Sequence, residues 1–384
     1  MKRFVFSVAA VFLMIVFVEG GLRIASLVMW HFQKEIEGKK DPYAELFFFI
    51  YKDKDWAKDH FKELEEAQKA DYESLNLWIG QEFHGKYVNI DSRGLRKTWN
   101  PESFGGKEPK KAYVFGGSTI WGSGARDDYT IPSLLSKQLN AREPSYIVTN
   151  YGQGAYTFFQ QIFHLLLLLR EGQRPDYVIF YSGANDVLVT YQNGKADVTN
   201  GPTNLQNIEE GTTHGEEILN GIKGLLYDHS KIYRALLRIV TLFVPPTEAD
   251  AAPKYDETFL TSLTKDFVEF YAKSHDLLDH LSKIYHFQYL SFWQPILFTK
   301  QDPTEEETKL MRDPRFFDNE TLADLYRKIG RELPKKGFPH FFKVSHVIWG
   351  NGNSQFLDWC HLSEEGNEII AKKMAEIFEK EFLK

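Results

Sequence analysis

The chain has 384 residues, of which 43% are hydrophobic and 26% are charged, which provides for a large core and gives no compositional sign of global disorder. Its 46 basic and 53 acidic residues give a formal net charge of −7, and no basic block with interleaved aromatic residues occurs, so nucleic acid is not predicted as a partner. The single cysteine, Cys360, excludes an internal disulfide framework and a cysteine-based zinc cage.

The N-terminal segment has the pattern of an export or membrane signal. Two basic residues precede an uncharged run over residues 4–18, and the apolar character continues to residue 30, interrupted only by Glu19 and Arg23. These two lie four residues apart, so a helix would pair them on one face and would be long enough to cross a bilayer. The segment predicts an uncleaved signal anchor or transmembrane helix over residues 1–30, with a cleaved signal peptide and a buried helix as alternatives.

The positive N-terminal flank predicts the side of the membrane on which the main domain lies. Such a flank stays on the cytoplasmic side, so the rest of the chain is expected to be extracytoplasmic. In a bacterium this means the periplasm or the cell surface. If the segment is cleaved, the protein is secreted.

Residues 31–110 are predicted to form an N-terminal extension packed on the main domain. Within it, residues 52–76 place apolar side chains three and four positions apart, which is typical of an amphipathic helix. Residues 86–96 alternate polar and apolar side chains before a Ser-Arg-Gly turn, which predicts a short strand or hairpin.

From residue 111 to the C-terminus, apolar strands alternate with helices. Continuously apolar strands in such an alternation predict an α/β fold, in which a doubly wound, mostly parallel sheet is covered by helices in three layers. A turn-rich section at about residues 190–285 is predicted to be a helical and loop insertion, whose loops form a substrate wall or only decorate the surface. The strands are predicted at residues 112–117, 145–152, 176–183, 287–293 and 341–344.

Three segments at predicted strand ends carry groups that suit a reaction at a carbonyl. Ser118 follows two glycines at a helix start, where free backbone N–H groups stabilise an oxyanion, although an ordinary N-cap serine has the same pattern. The small residues of TNYGQGAYT (149–157) allow backbone N–H groups to approach a ligand, or simply turn the chain. Asn185 in SGAND (182–186) can donate its amide to a developing negative charge, or form a turn with the following aspartate.

A fourth segment, DWCHLSEEGN (358–367), contains a candidate base. His361 is suited to take a proton from a serine near neutral pH. Asp358, three residues earlier, can turn back and hold the second imidazole nitrogen, which fixes the tautomer of the ring. The ordinary alternatives are a turn role for Asp358 and a helix cap at Ser363.

These four segments, in this order, resemble the blocks of the SGNH hydrolases, also called GDSL esterases and lipases. The resemblance covers residues 111–384 and implies the flavodoxin-like fold of that family. It implies that Ser118 is the nucleophile, His361 the base and Asp358 the residue that orients the base. The implied oxyanion hole combines the backbone N–H of Ser118, the side chain of Asn185 and one N–H of the second block, from Gly154 or Ala155.

Two positions depart from the family pattern. Gly117 stands where the family has aspartate, and Ala155 stands where glycine is usual. An alanine serves as a backbone donor there if its φ is negative.

Other reactive residues have ordinary explanations. Asp276 and His280 lie four apart on a predicted helix but lack a third metal ligand, and His164 and Cys360 are expected to be packed side chains. No phosphate-binding glycine loop occurs, so neither a cofactor nor a metal is predicted.

The predicted function is that of a membrane-anchored, extracytoplasmic serine esterase that cleaves carboxylic esters through an acyl-enzyme. Its expected partners are the membrane, through the N-terminal helix, and an ester-bearing small molecule, lipid or acylated glycan. One alternative is an O-acyltransferase or O-acetylesterase that acts on cell-envelope glycans. The other is a catalytically inactive binding protein with the same fold, which the two departures suggest.

Overall fold

The computed structural model describes most of one compact unit of the chain. Two units are distinguished, one formed by residues 1–42 and 201–252 and the other by residues 43–200 and 253–384. All elements named below belong to the second unit. The described residues are 50–73, 77–197, 255–312, 319–350 and 352–383, together with Glu19 and Arg23.

The predicted N-terminal anchor and part of the predicted insertion, residues 198–254, lie outside the described residues apart from Glu19 and Arg23. These two are both helical, and Arg23 Nε lies 3.1 Å from Glu19 Oε1, the pairing expected for a spacing of four. Within the described ranges, no helix combines the length and the apolar composition that crossing a bilayer requires.

Among the described residues of the second unit, nine strands and nine α-helices have both of their ends defined. The strands are β1 Ala70–Glu73, β2 Leu77–Gly80, β3 Phe83–His84, β4 Asn89–Ile90, β5 Lys110–Gly116, β6 Tyr146–Asn150, β7 Tyr177–Ser182, β8 Gln288–Trp293 and β9 Phe341–Lys343. The helices are α1 Ala57–Ala67, α2 Ser118–Trp121, α3 Ile131–Leu139, α4 Phe158–Arg170, α5 Ala184–Asn193, α6 Glu257–Tyr285, α7 Glu305–Met311, α8 Asn319–Glu332 and α9 Glu364–Phe382.

The last five strands form one parallel sheet in the order β6-β5-β7-β8-β9. They are the five strands predicted from the sequence, and the predicted doubly wound α/β fold is confirmed. From β5 the chain moves to one edge of the sheet at β6 and then returns to the other side of β5 at β7. The order therefore reverses between β5 and β7, and ligands of such sheets bind outside the carboxyl ends of the strands at this switch point.

The two faces of the sheet are covered by different helices. Because side chains alternate along a strand, Phe115 and Phe180 point to one face, where their rings stack at 5.4 Å within a core shared with α4, α6 and α8. Val114 and Ile179 point to the other face and pack with α3 and α9. The three layers leave the carboxyl edge of the sheet for the loops that carry the candidate site.

The long helix α6 belongs to the first of these cores. It begins at the N-cap Asp256, whose side chain accepts a hydrogen bond from the backbone N–H of Phe259, and buries Leu263, Phe267 and Tyr271 along one face. The section predicted as an insertion thus contains a layer-forming helix that returns the chain from β7 to β8.

The N-terminal extension packs beside the first turn after β5. Arg96 is buried, its Nε donates to Asp127 Oδ1 at 2.7 Å, and its guanidinium lies 4.7 Å from the ring centre of Trp121 in α2. The predicted helix over residues 52–76 is shorter than expected. It ends at Ala67, and β1 pairs antiparallel with β2, whose residues lie only 4 to 10 positions further along the chain.

Candidate active site

Ser118 lies at the sharp turn between β5 and α2. Gly116 ends the strand, Gly117 precedes the helix in an extended conformation, and Ser118 is its first residue and half-buried. A residue at this position has a backbone N–H without an intrahelical acceptor. The turn therefore presents both a hydroxyl and a free N–H at the carboxyl edge of the sheet.

Asp358 and His361 lie in the tight loop before α9. Asp358 Oδ1 accepts hydrogen bonds from the backbone N–H of Cys360 at 2.9 Å and of His361 at 2.7 Å, so the aspartate folds the loop around its own carboxylate. Its other oxygen, Oδ2, lies 2.6 Å from His361 Nδ1. Because a carboxylate accepts only, the imidazole carries its proton on Nδ1.

The structure brings His361 and Ser118 together across 243 positions of sequence. His361 Nε2 lies 2.7 Å from Ser118 Oγ, so the ring nitrogen left unprotonated is placed to accept a hydrogen bond from the serine hydroxyl. The three side chains form a continuous series from hydroxyl to imidazole to carboxylate. This juxtaposition is the one that the family resemblance implies, and it lies beside the switch point of the sheet.

The ionisation of the pair is set by two opposing effects. Burial disfavours the charged imidazolium, but the Asp358 carboxylate outweighs it and raises the pKa of His361 well above its ordinary value. Burial likewise disfavours the Asp358 carboxylate, yet His361 and the two backbone donors hold the pKa of this aspartate below its ordinary value. Asp358 is thus a stable anion at neutral pH and favours a positive charge on His361.

Asn185 lies at the corresponding turn after β7. Its Nδ2 donates to the carbonyl of Tyr156 at 3.1 Å, which leaves a second amide proton for a ligand. The turn is held by the buried Asp186, which accepts from the backbone N–H of Phe158 at 2.7 Å and of Gly183 at 3.0 Å. Burial raises the pKa of Asp186 to about 6.

The glycine that departs from the family pattern has a steric explanation. A Cβ atom placed on Gly117 would lie 2.2 Å from Asn185 Nδ2, far inside contact distance. Glycine at this position therefore leaves the space that the amide of Asn185 occupies beside Ser118. The φ of Gly117 is −81°, so its backbone conformation by itself does not require glycine.

The loop after β6 brings Gly154 and Ala155 to the same edge. Gly154 is partly exposed, whereas Ala155 is exposed and has φ of +62°. The condition of a negative φ at Ala155 is therefore not met: the turn has a left-handed residue here, a conformation that costs a non-glycine residue about 1 kcal/mol. This explains in physical terms why glycine is usual at this position of the family.

The extension and the second block hold this loop by contacts that the sequence analysis did not find. Trp78 Nε1 donates to the carbonyl of Gly154 at 2.8 Å, and Tyr156 Oη donates to the carbonyl of Trp78 at 2.7 Å. Asn150 Nδ2 donates to the carbonyl of Ile120 at 2.8 Å and ties the loop to α2. The asparagine of the second block was a detectable signal, but Trp78 is separated from the loop by 76 positions and carries no motif.

The remaining reactive residues have other roles. Cys360 Sγ lies 3.7 Å from His361 Nδ1, and Asp358, Cys360 and His361 place potential metal-ligand atoms within 4.8 Å of one another. Burial raises the pKa of Cys360 to about 11, so the thiolate that a metal or a nucleophilic role requires is scarce at neutral pH. His280 is exposed and its Nδ1 contacts the backbone carbonyl of Asp276, while His164 is buried in the core.

A parallel α/β sheet with serine, histidine and aspartate joined in series at its switch point is the architecture of a serine hydrolase. The model of the GDSL-like lipase/acylhydrolase family matches residues 113–374, and the chain belongs to this family. The resemblance found in the sequence is confirmed, and the protein is an ester-hydrolysing enzyme. A comparison with curated proteins finds no match.

Several solved structures are similar to the chain. The acetyl xylan esterase AlAXEase has 15% identity and a TM-score of 0.37 over 69% of this chain and 98% of its own. The inhibitor-bound aryl esterase of M. smegmatis has 14% identity and a TM-score of 0.34 over 71% and 99%. Est24, a carbohydrate acetylesterase from Sinorhizobium meliloti, has 16% identity and a TM-score of 0.33 over 71% and 100%.

Proposed function

We propose that this protein is a serine esterase in which Ser118 is the nucleophile, His361 the general base and acid, and Asp358 the residue that orients and charges His361. The observation that carries the proposal is the series of two short hydrogen bonds, 2.7 Å from Ser118 Oγ to His361 Nε2 and 2.6 Å from His361 Nδ1 to Asp358 Oδ2. Its substrates are carboxylic esters of small molecules or glycans.

In the first half of the reaction, Ser118 Oγ attacks the ester carbonyl while His361 Nε2 takes its proton. The carbonyl oxygen becomes an anion, for which the backbone N–H of Ser118, the second amide proton of Asn185 and the backbone N–H of Gly154 are the proposed donors. The imidazolium formed next to Asp358 is stabilised by its carboxylate. Collapse of the intermediate breaks the bond to the alcohol, which leaves with the proton from His361.

In the second half, water replaces the alcohol. His361 takes a proton from water as its oxygen attacks the acyl-enzyme, the same donors stabilise the second oxyanion, and collapse releases the carboxylic acid and returns the proton to Ser118 Oγ. An acceptor sugar in place of water would make the same site a transferase, so product analysis with an added sugar distinguishes hydrolysis from acyl transfer.

The test of the nucleophile is Ser118→Ala. The substitution removes the attacking oxygen and leaves the fold intact, so hydrolysis of phenyl acetate should fall by roughly 10⁴-fold or more, and labelling of the protein by a fluorophosphonate should disappear. Wild-type protein that is folded by circular dichroism but neither hydrolyses the ester nor reacts with the probe would indicate an inactive binding protein instead.

We also propose that the enzyme is anchored to a membrane with its main domain outside the cytoplasm. The support is the basic pair at the N-terminus followed by the uncharged residues 4–18. Fractionation of cells that express the full chain should find it with the membrane, and added protease should degrade the domain once the outer permeability barrier is removed. A soluble cytoplasmic protein under the same conditions would contradict the proposal.

A further inference from the structure

A cavity opens at the carboxyl edge of the sheet, next to the ends of β8 and β9. It has a volume of about 300 Å³, and its lining includes Trp293, Lys343, Arg327 and Arg331. Trp293 is the last residue of β8 and Lys343 the last of β9, so both lie at the carboxyl edge. Parallel strands lie about 4.8 Å apart, so the end of β8 is about 10 Å from the end of β5, which precedes Ser118.

Direct contacts join this cavity to the candidate active site. The ring of Trp293 packs under Gly183, the residue two positions before Asn185, so closely that a Cβ on Gly183 would lie 2.9 Å from its Cε3. Leu297, next to the cavity-lining Phe298, donates its backbone N–H to the carbonyl of Trp359, which follows Asp358. These packed contacts fix the position of the cavity relative to Ser118.

The cavity contains indole donors without acceptors. Trp293 is fully buried, and neither its Nε1 nor the buried Nε1 of Trp349 has a hydrogen-bond partner in the part of the chain that the structure describes. Buried polar groups in proteins are generally paired, and an indole N–H can only donate. Two unpaired donors beside the cavity are therefore unusual, and their chemistry is complemented by an acceptor rather than by a further donor.

The charged groups around the cavity point to the same class of ligand. Arg331 and Lys343 form no ion pair within the described ranges, and Lys343 Nζ donates only to the carbonyl of Gly330, at 3.2 Å. Burial and the neighbouring Arg331 lower the pKa of Lys343, as expected where two cations lie near each other without a carboxylate between them. Both side chains are exposed and carry donors only, and an anionic, oxygen-bearing group forms the strongest hydrogen bonds with such donors.

We propose that this cavity is a subsite for an anionic group of the substrate, a carboxylate or a phosphate located about 10 Å from the ester, and that the enzyme acts on esters of acidic saccharides or comparable anionic compounds. The proposal rests on the proposed esterase function, because it specifies the substrate class of that site.

Two variants alter the cavity without touching the triad. A Cβ on Gly330 would lie 3.4 Å from both Trp293 Nε1 and Lys343 Nζ, so Gly330→Ala places a methyl group between the two donors, and alanine favours the helix in which it lies. Arg331→Gln removes one cation. Arg170→Gln, at the exposed C-terminal end of α4, is the matched control for the loss of an arginine.

The experiment measures kcat/KM for mono-O-acetylated trisaccharides of glucose, of glucuronic acid and of glucose carrying a phosphate, with phenyl acetate as a short neutral ester. The wild type should prefer an acidic saccharide about tenfold or more, and the better of the two acids identifies the group. Gly330→Ala and Arg331→Gln should remove this preference by raising KM for the acidic saccharides, and should leave kcat/KM for phenyl acetate unchanged. The control, Arg170→Gln, should leave kcat/KM unchanged for all four esters. Equal rates on acidic and neutral saccharides, or equal losses on both in the variants, would overturn the proposal.

A binding measurement separates this proposal from the esterase assignment. Glucuronate and inorganic phosphate are titrated into Ser118→Ala protein while tryptophan fluorescence is recorded. Saturable binding of either anion, weakened about tenfold by Arg331→Gln, supports the anionic subsite. If the wild type binds the anion in this way but hydrolyses no ester, only the esterase assignment is refuted. Ser118-dependent hydrolysis of phenyl acetate without any anion binding or acidic preference would refute the subsite only.

Discussion

At the scale of single residues, Asp358 determines how the proposed base titrates. It accepts two backbone N–H groups and the imidazole, and is therefore both fixed in position and ionised. His361 must be neutral to accept the proton of Ser118, and its pKa is raised above 6.5. The rate should therefore rise with pH as His361 loses its proton, with a midpoint above 6.5.

Asp358→Asn tests this assignment. Loss of the carboxylate removes the attraction that raises the pKa of His361, so the midpoint of the pH profile of kcat/KM should move to lower pH, and burial pushes it in the same direction. The maximal rate should fall by about 10³- to 10⁴-fold because the tautomer is no longer fixed. A profile of reduced height with an unmoved midpoint would show that Asp358 positions His361 without tuning its charge.

Gly117 and Asn185 form a second pair at this scale. Gly117→Ala would drive a methyl group into Asn185 Nδ2, while Asn185→Ala removes the amide, a loss that in oxyanion holes costs about 10²- to 10³-fold in kcat. If Gly117→Ala acts by displacing Asn185, it should lower kcat strongly in the wild type and little in the Asn185→Ala background. Kinetics of the two single variants and the double variant measure this coupling, and additive losses would contradict it.

At the scale of elements, the loop after β6 depends on the extension that precedes the sheet. Trp78 donates to the carbonyl of Gly154, and its ring lies 5.5 Å from that of Tyr156 in an edge contact. The left-handed φ of Ala155 follows immediately in the chain, so this hydrogen bond opposes relaxation of a strained turn. The extension therefore shapes the edge of the site without contributing a reacting group.

Trp78→Phe removes the indole donor and keeps most of the ring. We expect kcat for phenyl acetate to fall several-fold and the free energy of unfolding by about 1 kcal/mol, the worth of one hydrogen bond. Trp99→Phe, the same change at a tryptophan outside the loop, is the control and should leave kcat unchanged. Steady-state kinetics measure the change in kcat, and urea unfolding measures the change in stability. Equal losses of activity in Trp78→Phe and Trp99→Phe would contradict the expectation.

At the scale of the whole molecule, three of the described histidines are buried, and two of them, His164 and His275, pack against the same core. Burial lowers the pKa of His60 to about 3, of His164 to about 4 and of His275 to about 3. They remain neutral in the folded state while the unfolded chain takes up protons below about 6.5, so stability falls as the pH drops through that value. Asp186 and His361 have raised pKa values, so the folded protein takes up their protons more readily than the unfolded chain and their contribution to stability increases as the pH falls. These two groups therefore oppose the three histidines.

His275→Phe tests this linkage. Its ring stacks on Phe338 at 4.6 Å, so phenylalanine should fit with little change in stability at pH 7. One such histidine costs roughly 2 kcal/mol of folding free energy between pH 7 and 5, and the variant should lose that much less over the range. Urea unfolding at both pH values gives the result, and an identical loss in wild type and variant would show that His275 does not contribute.

The sequence by itself determined the strands, their alternation with helices and the identity of the groups brought together at the sheet edge. Local patterns sufficed for these features because apolar runs, paired glycines and the Asp-x-x-His spacing are encoded within a few residues. Only the tertiary structure decided the early end of α1 at Ala67, the left-handed Ala155, the space that Asn185 requires at Gly117 and the cavity at Trp293. The turn at Ala155, the space at Gly117 and the cavity involve residues far apart in the chain, whose packing no local pattern specifies. The end of α1 is followed by the local β1–β2 pair, which the amphipathic pattern of the segment does not reveal.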